Sequence, residues 1–140
     1  MTGFVRAALA AAGIASAAAL SSCATQPRAA GQAAPLPAGL VHAVQMTATY
    51  QFVPDEIRIN VGDTIEWRNV SPFGQTVTGV RSAAPLLIRL PTSAAEFDSG
   101  IVRPGDAFRH TFTVVGVYQY ISRLAIGVDM VGTVVVTERR

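Results

Sequence analysis

Few side chains in this 140-residue chain could bind a metal ion or act as a nucleophile. There is one cysteine, Cys23, and there are two histidines, His42 and His110. Apart from Met1, the methionines are Met46 and Met130. A single cysteine excludes an internal disulfide and any zinc or iron–sulfur site that needs several thiolates. The chain has no lysine, which excludes Schiff-base chemistry on a lysine amine.

The cysteine ends a segment with the features of an export signal. Residues 1–23 carry one charge, Arg6, followed by the apolar run Ala7–Leu20, which is short for a membrane span and typical of a signal peptide. Leu20-Ser21-Ser22-Cys23 resembles a bacterial lipobox, in which the cysteine becomes the lipidated first residue of the mature protein. Ordinary cleavage near residues 15–17 or 22–24 is the alternative. Either way we expect export to the periplasm or cell envelope, with membrane anchoring through Cys23 in the lipoprotein case.

The next segment has the composition of a spacer. Residues 24–40 are mostly Ala, Pro, Gly and Gln, and Pro27, Pro35 and Pro37 interrupt any helix. The predicted organisation is therefore a signal peptide at 1–23, a tether at 24–40 and a domain at 41–140.

Charge argues against a nucleic-acid binder. Beyond residue 23, ten arginines oppose nine acidic residues, which leaves a net charge of about +1. Binding to phosphate backbones needs a strong excess of cations, so we expect no nucleic-acid partner.

The elements that must position these residues read as β-strands. Ile57, Ile59 and Val61 alternate with polar residues, and the same period recurs at Ile65 and Trp67. Strand signals also occur at 41–50, 108–112, 118–120 and 133–137, with turns at 62–63 and 103–106, the second of type II. This pattern predicts an all-β sandwich of about seven or eight strands. Residues 80–100 fit it least well, and 80–90 reads as an irregular excursion or a short helix.

Several segments, in order, resemble the cupredoxin family of plastocyanin and pseudoazurin type. The first runs from Phe52 to Asn69, and the middle of the family corresponds to 97–100, 104–105 and 108–112. The end corresponds to 116–120 and 130–136. The resemblance spans nearly all of 45–137, and it implies a Greek-key β-sandwich that binds copper for electron transfer.

The resemblance also identifies the positions of the copper ligands. The family uses two histidines and a cysteine, with a weak axial methionine. Gln75 stands where the first histidine is expected; in the closing loop, whose length is preserved, Ser122 replaces the cysteine and Ala125 the second histidine. Only Met130 is retained. Serine is a poor copper ligand at neutral pH and alanine has no donor atom. We therefore predict a degenerate site without a cofactor, although copper is what the family binds.

Two charged residues distinguish the same loop. Arg123 and Asp129 lie where the family has an apolar docking patch around the copper. The simpler interpretation is a solvated loop. The functional interpretation is a changed surface for an unknown protein partner, with Gln75, Arg123 and Asp129 at its centre.

The remaining candidates favour structural roles. His110 is more typical of a structural histidine than of a metal ligand, and His42 could bind a metal with Met46 only if the first strand folds over. Methionine is more often a core residue, and Trp67 with Tyr118 and Tyr120 is more typical of packing than of a binding platform. No catalytic constellation is recognisable, so we expect no enzyme.

Two hypotheses about function follow. The first is an exported cupredoxin-like domain, degenerate at the copper site, that acts as a non-catalytic binding or structural module. The alternative is a copper-binding electron carrier with an atypical site, completed by a partner or by His42, His110 and Met130.

Overall fold

The computed structural model describes residues 38–125 and 127–140. The predicted signal peptide, its Cys23 and residues 24–37 of the predicted tether lie outside the described residues. Within the described part, no helix is long and apolar enough to cross a membrane.

The described residues form nine strands and no helix. Three of the strands contain two residues each, which explains why the count exceeds the seven or eight predicted. The strands are β1 (Val41–Met46), β2 (Phe52–Val53), β3 (Glu56–Asn60), β4 (Thr64–Asn69), β5 (Thr78–Gly79), β6 (Phe97–Asp98), β7 (Ala107–Thr111), β8 (Gly116–Ile121) and β9 (Val131–Thr137).

These strands build two sheets. One has the order β2-β1-β4-β7 and the other β3-β9-β8-β5-β6. The pairs β1–β4 and β3–β9 are parallel, and the other pairs are antiparallel. Strands adjacent in space are therefore often distant in sequence, as in a Greek key. The predicted all-β sandwich is confirmed.

Aromatic side chains fill the space between the sheets. Ile65 and Trp67 of β4 are fully buried, as their alternation predicts. The Trp67 indole Nε1–H donates a hydrogen bond to the Tyr120 hydroxyl at 2.9 Å. Burial raises the pKa of Tyr120 well above its ordinary value. The predicted packing role of Trp67, Tyr118 and Tyr120 agrees with their burial.

An acidic side chain on β4 departs from the simple alternation. Glu66 is almost fully buried although it lies between two buried apolar residues of the opposite face. The guanidinium groups of Arg109, its partner across the strands, and of Arg68 bind its carboxylate. The hydrogen bond from Arg109 holds the pKa of Glu66 below its ordinary value, although desolvation opposes this shift.

The region that fitted the strand pattern least is an excursion of turns. Residues 80–90 contain no helix. Arg89 exchanges two backbone hydrogen bonds with Gln119, so the excursion continues the sheet beside β8. The Arg81 guanidinium donates to the Glu96 carboxylate and to the Pro91 carbonyl, which closes the excursion on itself.

At one end of the sandwich, a buried carboxylate joins the first and last described segments. Asp63 is fully buried, and its Oδ1 accepts hydrogen bonds from Leu40 N at 2.9 Å and Arg139 Nη2 at 2.6 Å. Its Oδ2 accepts from Asn60 N and lies 3.0 Å from His42 Nε2. We call this region, with residues 39–42, 60–63 and 137–139, the junction end.

The electrostatics of the junction end favour the charged carboxylate. Desolvation alone would raise the pKa of Asp63. The hydrogen bonds from the Asn60 amide, His42 and the Leu40 amide, together with the charge of Arg139, outweigh it and lower the pKa.

Candidate functional site

Three long strands end at the opposite side of the sandwich, where the predicted site residues lie. Val70 N donates to the Met46 carbonyl, and Gly105 N donates to the Asn69 carbonyl, so the loops after β1 and β4 and the turn before β7 meet. Residues 47–51, 70–77, 99–106, 122–125 and 127–130 are called the loop end.

The turn at 103–106 has the predicted type. Asp106 N donates to the Arg103 carbonyl at 3.0 Å. Gly105, its third residue, has φ +83°, the left-handed value that a type II turn requires at that position.

A buried amide orders the loop after β4. Asn69 is 1 % exposed. Its Nδ2 donates to the carbonyls of Phe73 and Val102, and its Oδ1 accepts from the amide and hydroxyl of Ser71. All four hydrogen-bonding positions of the side chain are thus used inside the protein. This loop carries Gln75 to the interior.

The structure brings Gln75 and Ser122 together. Gln75 is 0 % and Ser122 is 4 % exposed. The Ser122 hydroxyl donates to Gln75 Oε1 at 3.0 Å and accepts from the amide of Thr76 at 3.2 Å. Gln75 Nε2 donates to the Thr47 carbonyl at 3.3 Å. The two side chains therefore bond to each other and to neighbouring backbone.

The network continues outward to the surface. The Thr76 hydroxyl accepts from the Arg123 amide at 2.7 Å. The Arg123 guanidinium donates to Asp98 Oδ2 at 2.7 Å. Asp98 Oδ1 in turn accepts from the amide of Gly100 and the hydroxyl of Thr78. This chain of contacts ties the loop after β8 to β5 and β6.

The other two predicted positions are also in the interior. Ala125 is 9 % and Met130 is 2 % exposed. Ser122 N donates to the Met130 carbonyl at 3.0 Å, which closes the base of the loop 122–130. Ala125 contributes a methyl group, and Met130 contributes the thioether.

The donor chemistry of these four residues does not fit a type 1 copper ion. Such a site takes two imidazoles and a thiolate in a trigonal plane. Here the plane would consist of an amide, a hydroxyl and a methyl group. The amide and the hydroxyl are already hydrogen-bonded to each other. Among residues 38–125 and 127–140, no group of three or more His, Cys, Asp or Glu side chains could hold a metal ion.

The histidines do not supply the missing ligands. His42 of β1 and His110 of β7 both pair with Ile65 of β4. Because β4 lies between them, their Cα atoms are about 10 Å apart. His42 contacts Asp63 at the junction end, and the His110 ring stacks on Phe97 at 4.5 Å between centroids. Burial lowers the pKa of His110. Met130 belongs to the loop end, so the structure does not bring His42, His110 and Met130 together.

The alternative in which His42 and Met46 share a metal ion finds no support in the contacts of the described residues. Met46 is fully buried in the core four residues further along β1. His42 instead contacts the Asp63 carboxylate.

The surface of the loop end is partly apolar. Val70, Ile101, Leu124 and Val128 are each at least 39 % exposed. A Cβ atom on Gly74 would lie 2.9 Å from Ile101 Cγ2 and 3.8 Å from Leu124 Cδ1. Glycine at this position therefore lets the side chain of Ile101 lie close against the backbone, next to Leu124.

A cleft of about 330 Å³ adjoins this surface. Arg123 and Asp129 are exposed and both line it, as do Ser122, Ala125 and Met130. Gln75, the third member of the predicted partner surface, is buried, because its side chain turns inward to bond with Ser122 and Thr47. The sequence analysis placed Gln75 at the centre of the partner surface, whereas the structure buries its side chain.

Sequence reasoning missed the polar partners of this region. Thr76 and Asp98 connect the loops, and Asp63 organises the junction end, but their sequence contexts indicated only turns or strands. Asp63 lies in a Gly-Asp sequence, which predicts a turn. That sequence carries no information about Arg139, its partner 76 residues away. Asn69 lies two residues before a serine, a pattern that also occurs in ordinary turns, so it did not indicate a buried side chain that orders the loop.

The chain matches a known protein family and resembles solved structures. The family described as copper binding proteins, plastocyanin/azurin family, matches residues 40–137. No curated protein matches the chain. Among solved structures, a reduced Cu(I) form of an amicyanin variant is similar at 27 % identity and a TM-score of 0.54, covering 74 % of this chain and 87 % of amicyanin.

Two further solved structures are also similar to this chain. A Cu-containing nitrite reductase from Thermus scotoductus SA-01 matches at 27 % identity and a TM-score of 0.55, over 82 % of this chain but 26 % of the reductase. A purple cupredoxin from Nitrosopumilus maritimus matches at 22 % identity and a TM-score of 0.53, over 68 % of this chain and 98 % of that one, which supports the fold. The sandwich, its loop end and the family match over 40–137 together show that this chain belongs to the plastocyanin/azurin family of copper binding proteins.

Proposed function

We propose that this chain is an exported cupredoxin domain that has lost the type 1 copper site and acts as a non-catalytic binding or structural module. The observation that carries the proposal is the Ser122–Gln75 hydrogen bond between two of the ligand positions. A thiolate and an imidazole are the strongest ligands of a type 1 site. Their replacement by a mutually bonded hydroxyl and amide, with Ala125 at the third position, leaves one thioether.

The loop end is the proposed binding surface. Exposed Ile101 and Leu124 form an apolar centre, and Arg123 and Asp129 add charge at the cleft beside it. An apolar centre with a polar rim is the usual anatomy of a protein–protein interface. The partner is unknown, and its docking face should be apolar and carry charges complementary to Arg123 and Asp129.

Export and anchoring are part of the same proposal. The apolar run after Arg6 and the lipobox-like sequence ending in Cys23 support a lipoprotein of the periplasm or cell envelope. A Cys23→Ser variant is expected to lose the membrane attachment. Recovery of that variant in the membrane fraction, in the same amount as the wild type, would contradict lipid anchoring.

A copper titration of purified residues 24–140 tests the loss of the site. We expect no stoichiometric copper by metal analysis and no thiolate-to-copper absorption band in the visible range. Tight binding of one copper per chain without that band would support the alternative, an electron carrier with an atypical site, which the family match alone favours. The copper named in the amicyanin and nitrite reductase structures is the reference for a positive result.

A gain-of-function variant tests the assignment of the positions. Gln75→His, Ser122→Cys and Ala125→His together restore the family's donor set around Met130 and the preserved loop. We expect this triple variant to bind one copper with a blue band. The matched control keeps Ser122 and carries only the two histidine substitutions, and it should show no blue band. A folded triple variant that takes up no copper would show that the loop is misaligned.

A further inference from the structure

The loops that would carry the copper ligands must be held together in some other way in this protein. In a metal site the ion cross-links the segments that supply its ligands. Here the corresponding segments are the loop after β4, with Gln75, and the loop after β8, with Ser122, Ala125 and Met130. Their donor set does not fit copper, yet both side chains at the centre are buried.

The observed contacts join these segments without an ion. Through Gln75, the loop after β4 reaches the Thr47 carbonyl after β1 and the Ser122 hydroxyl after β8. The Thr76 amide also donates to the Ser122 hydroxyl. Three segments distant in sequence therefore meet at one hydroxyl and one amide.

Each side-chain nitrogen and oxygen atom of the Ser122–Gln75 pair has a hydrogen-bond partner. The Ser122 hydroxyl donates once and accepts once, and the Gln75 amide group does the same. Across the part of the chain that the structure describes, every buried side-chain nitrogen or oxygen has a hydrogen-bond partner. A buried pair whose hydrogen bonds are satisfied stabilises and orders its surroundings, whereas an unsatisfied one costs free energy.

We infer that the Ser122–Gln75 pair is a neutral cross-link that replaces a metal ion in fixing the loop 122–130 to the loops after β1 and β4. Ser122 is then a positioning residue for the surface formed by Leu124, Val128 and Asp129. The loop end is ordered before any partner arrives, so binding loses little conformational entropy on ordering it. The cross-link is a property of the free protein and does not depend on a partner.

Amide hydrogen exchange of Ser122→Ala tests the cross-link in the presence of a metal chelator. The variant removes the donor to Gln75 and the acceptor of the Thr76 amide. We expect exchange of the hydrogen-bonded amides of Thr76, Arg123, Val128 and Met130 to accelerate by roughly tenfold, with exchange in β4 and β8 unchanged.

The chain offers a matched control in Ser99. Its hydroxyl also accepts from one amide, that of Val77, and donates to one carbonyl, that of Gly100. Ser99→Ala should accelerate hydrogen exchange of the Val77 amide and leave exchange of the amides in the loop 123–130 unchanged. Should Ser122→Ala not fold, Gln75→Leu removes the same cross-link from the other side and should give the same local pattern.

Two results would overturn the inference. One is a loop 123–130 whose exchange is equally fast in the wild type, Ser122→Ala and Ser99→Ala. The other is a wild-type loop whose amide exchange is slower with copper in place of the chelator, because an ion would then hold it. The copper titration measures how much copper each chain binds, whereas the exchange experiment measures the order of the loop in the absence of metal. Failure of the proposed function and failure of this inference are therefore distinguishable.

Discussion

The two ends of the sandwich are held together by different buried polar groups, one charged and one neutral. Each must join segments that are distant in sequence through a buried polar group. The junction end uses a charged carboxylate, Asp63, with four donors around it. The loop end uses a neutral pair, Ser122 and Gln75. A charged centre makes stability depend on pH and on every donor, while a neutral pair confers a smaller and pH-independent stabilisation.

The largest expected effect comes from removing the charge at the junction end. In Asp63→Asn, one of the two acceptor oxygens becomes an amide nitrogen, which faces two donors and can accept from neither. We expect a loss of about 3 kcal/mol in the free energy of unfolding, measured by urea denaturation. Asp106→Asn is the control, because it removes the same charge from an exposed turn. Equal stability of the two variants would show that the carboxylate is dispensable.

The same charge predicts an acid transition. The pKa of Asp63 in the folded protein lies below its ordinary value of 3.8, so its contribution to stability is complete above that pH and is lost as the pH falls through the folded pKa. Glu66, with its lowered pKa, adds a second contribution of the same sign.

Melting temperatures between pH 6 and pH 2 measure this transition. The wild type should lose stability steeply below about pH 4. Asp63→Asn should lose less over the same range, with the part due to Glu66 remaining. Parallel curves for the two proteins would place the acid sensitivity elsewhere.

The loop end should respond more weakly and without pH dependence. Ser122→Ala leaves the Thr76 amide and Gln75 Oε1 without their partner, at an expected cost of about 1–2 kcal/mol. Because neither group titrates, the wild type and the variant should differ by the same amount at pH 7 and pH 4. A difference that vanishes at low pH would mean that the loop end is coupled to a titrating group.

The smallest effect is expected at the surface of the loop end. The Arg123–Asp98 ion pair has both side chains at least 32 % exposed, so solvent screens it. Arg123→Ala keeps the backbone hydrogen bond to Thr76 and should cost about 0.5 kcal/mol or less. A cost equal to that of Ser122→Ala would indicate that the loop is held from its surface.

Sequence reasoning reached most of the fold and part of the site. The alternation around Trp67 and the Pro-Gly turn at 103–106 are local signals, and the structure has both where the pattern predicts them. The burial of Gln75 was not predicted, because it depends on the loop after β4, which Asn69 folds inward. The excursion at 80–90 was ambiguous because its hydrogen bonds, such as Arg89 with Gln119, join it to a distant strand.

The sequence by itself determined the residue types: one cysteine before the domain, no imidazole at the predicted ligand positions, and strands whose period of two indicates one buried face. These features are local or compositional, so no neighbouring strand can change them. Only the tertiary structure decided which polar groups meet. Ser122 bonds Gln75 across 47 residues, and Arg139 reaches Asp63 across 76. Such contacts depend on the three-dimensional closure of the two sheets, which no local pattern encodes.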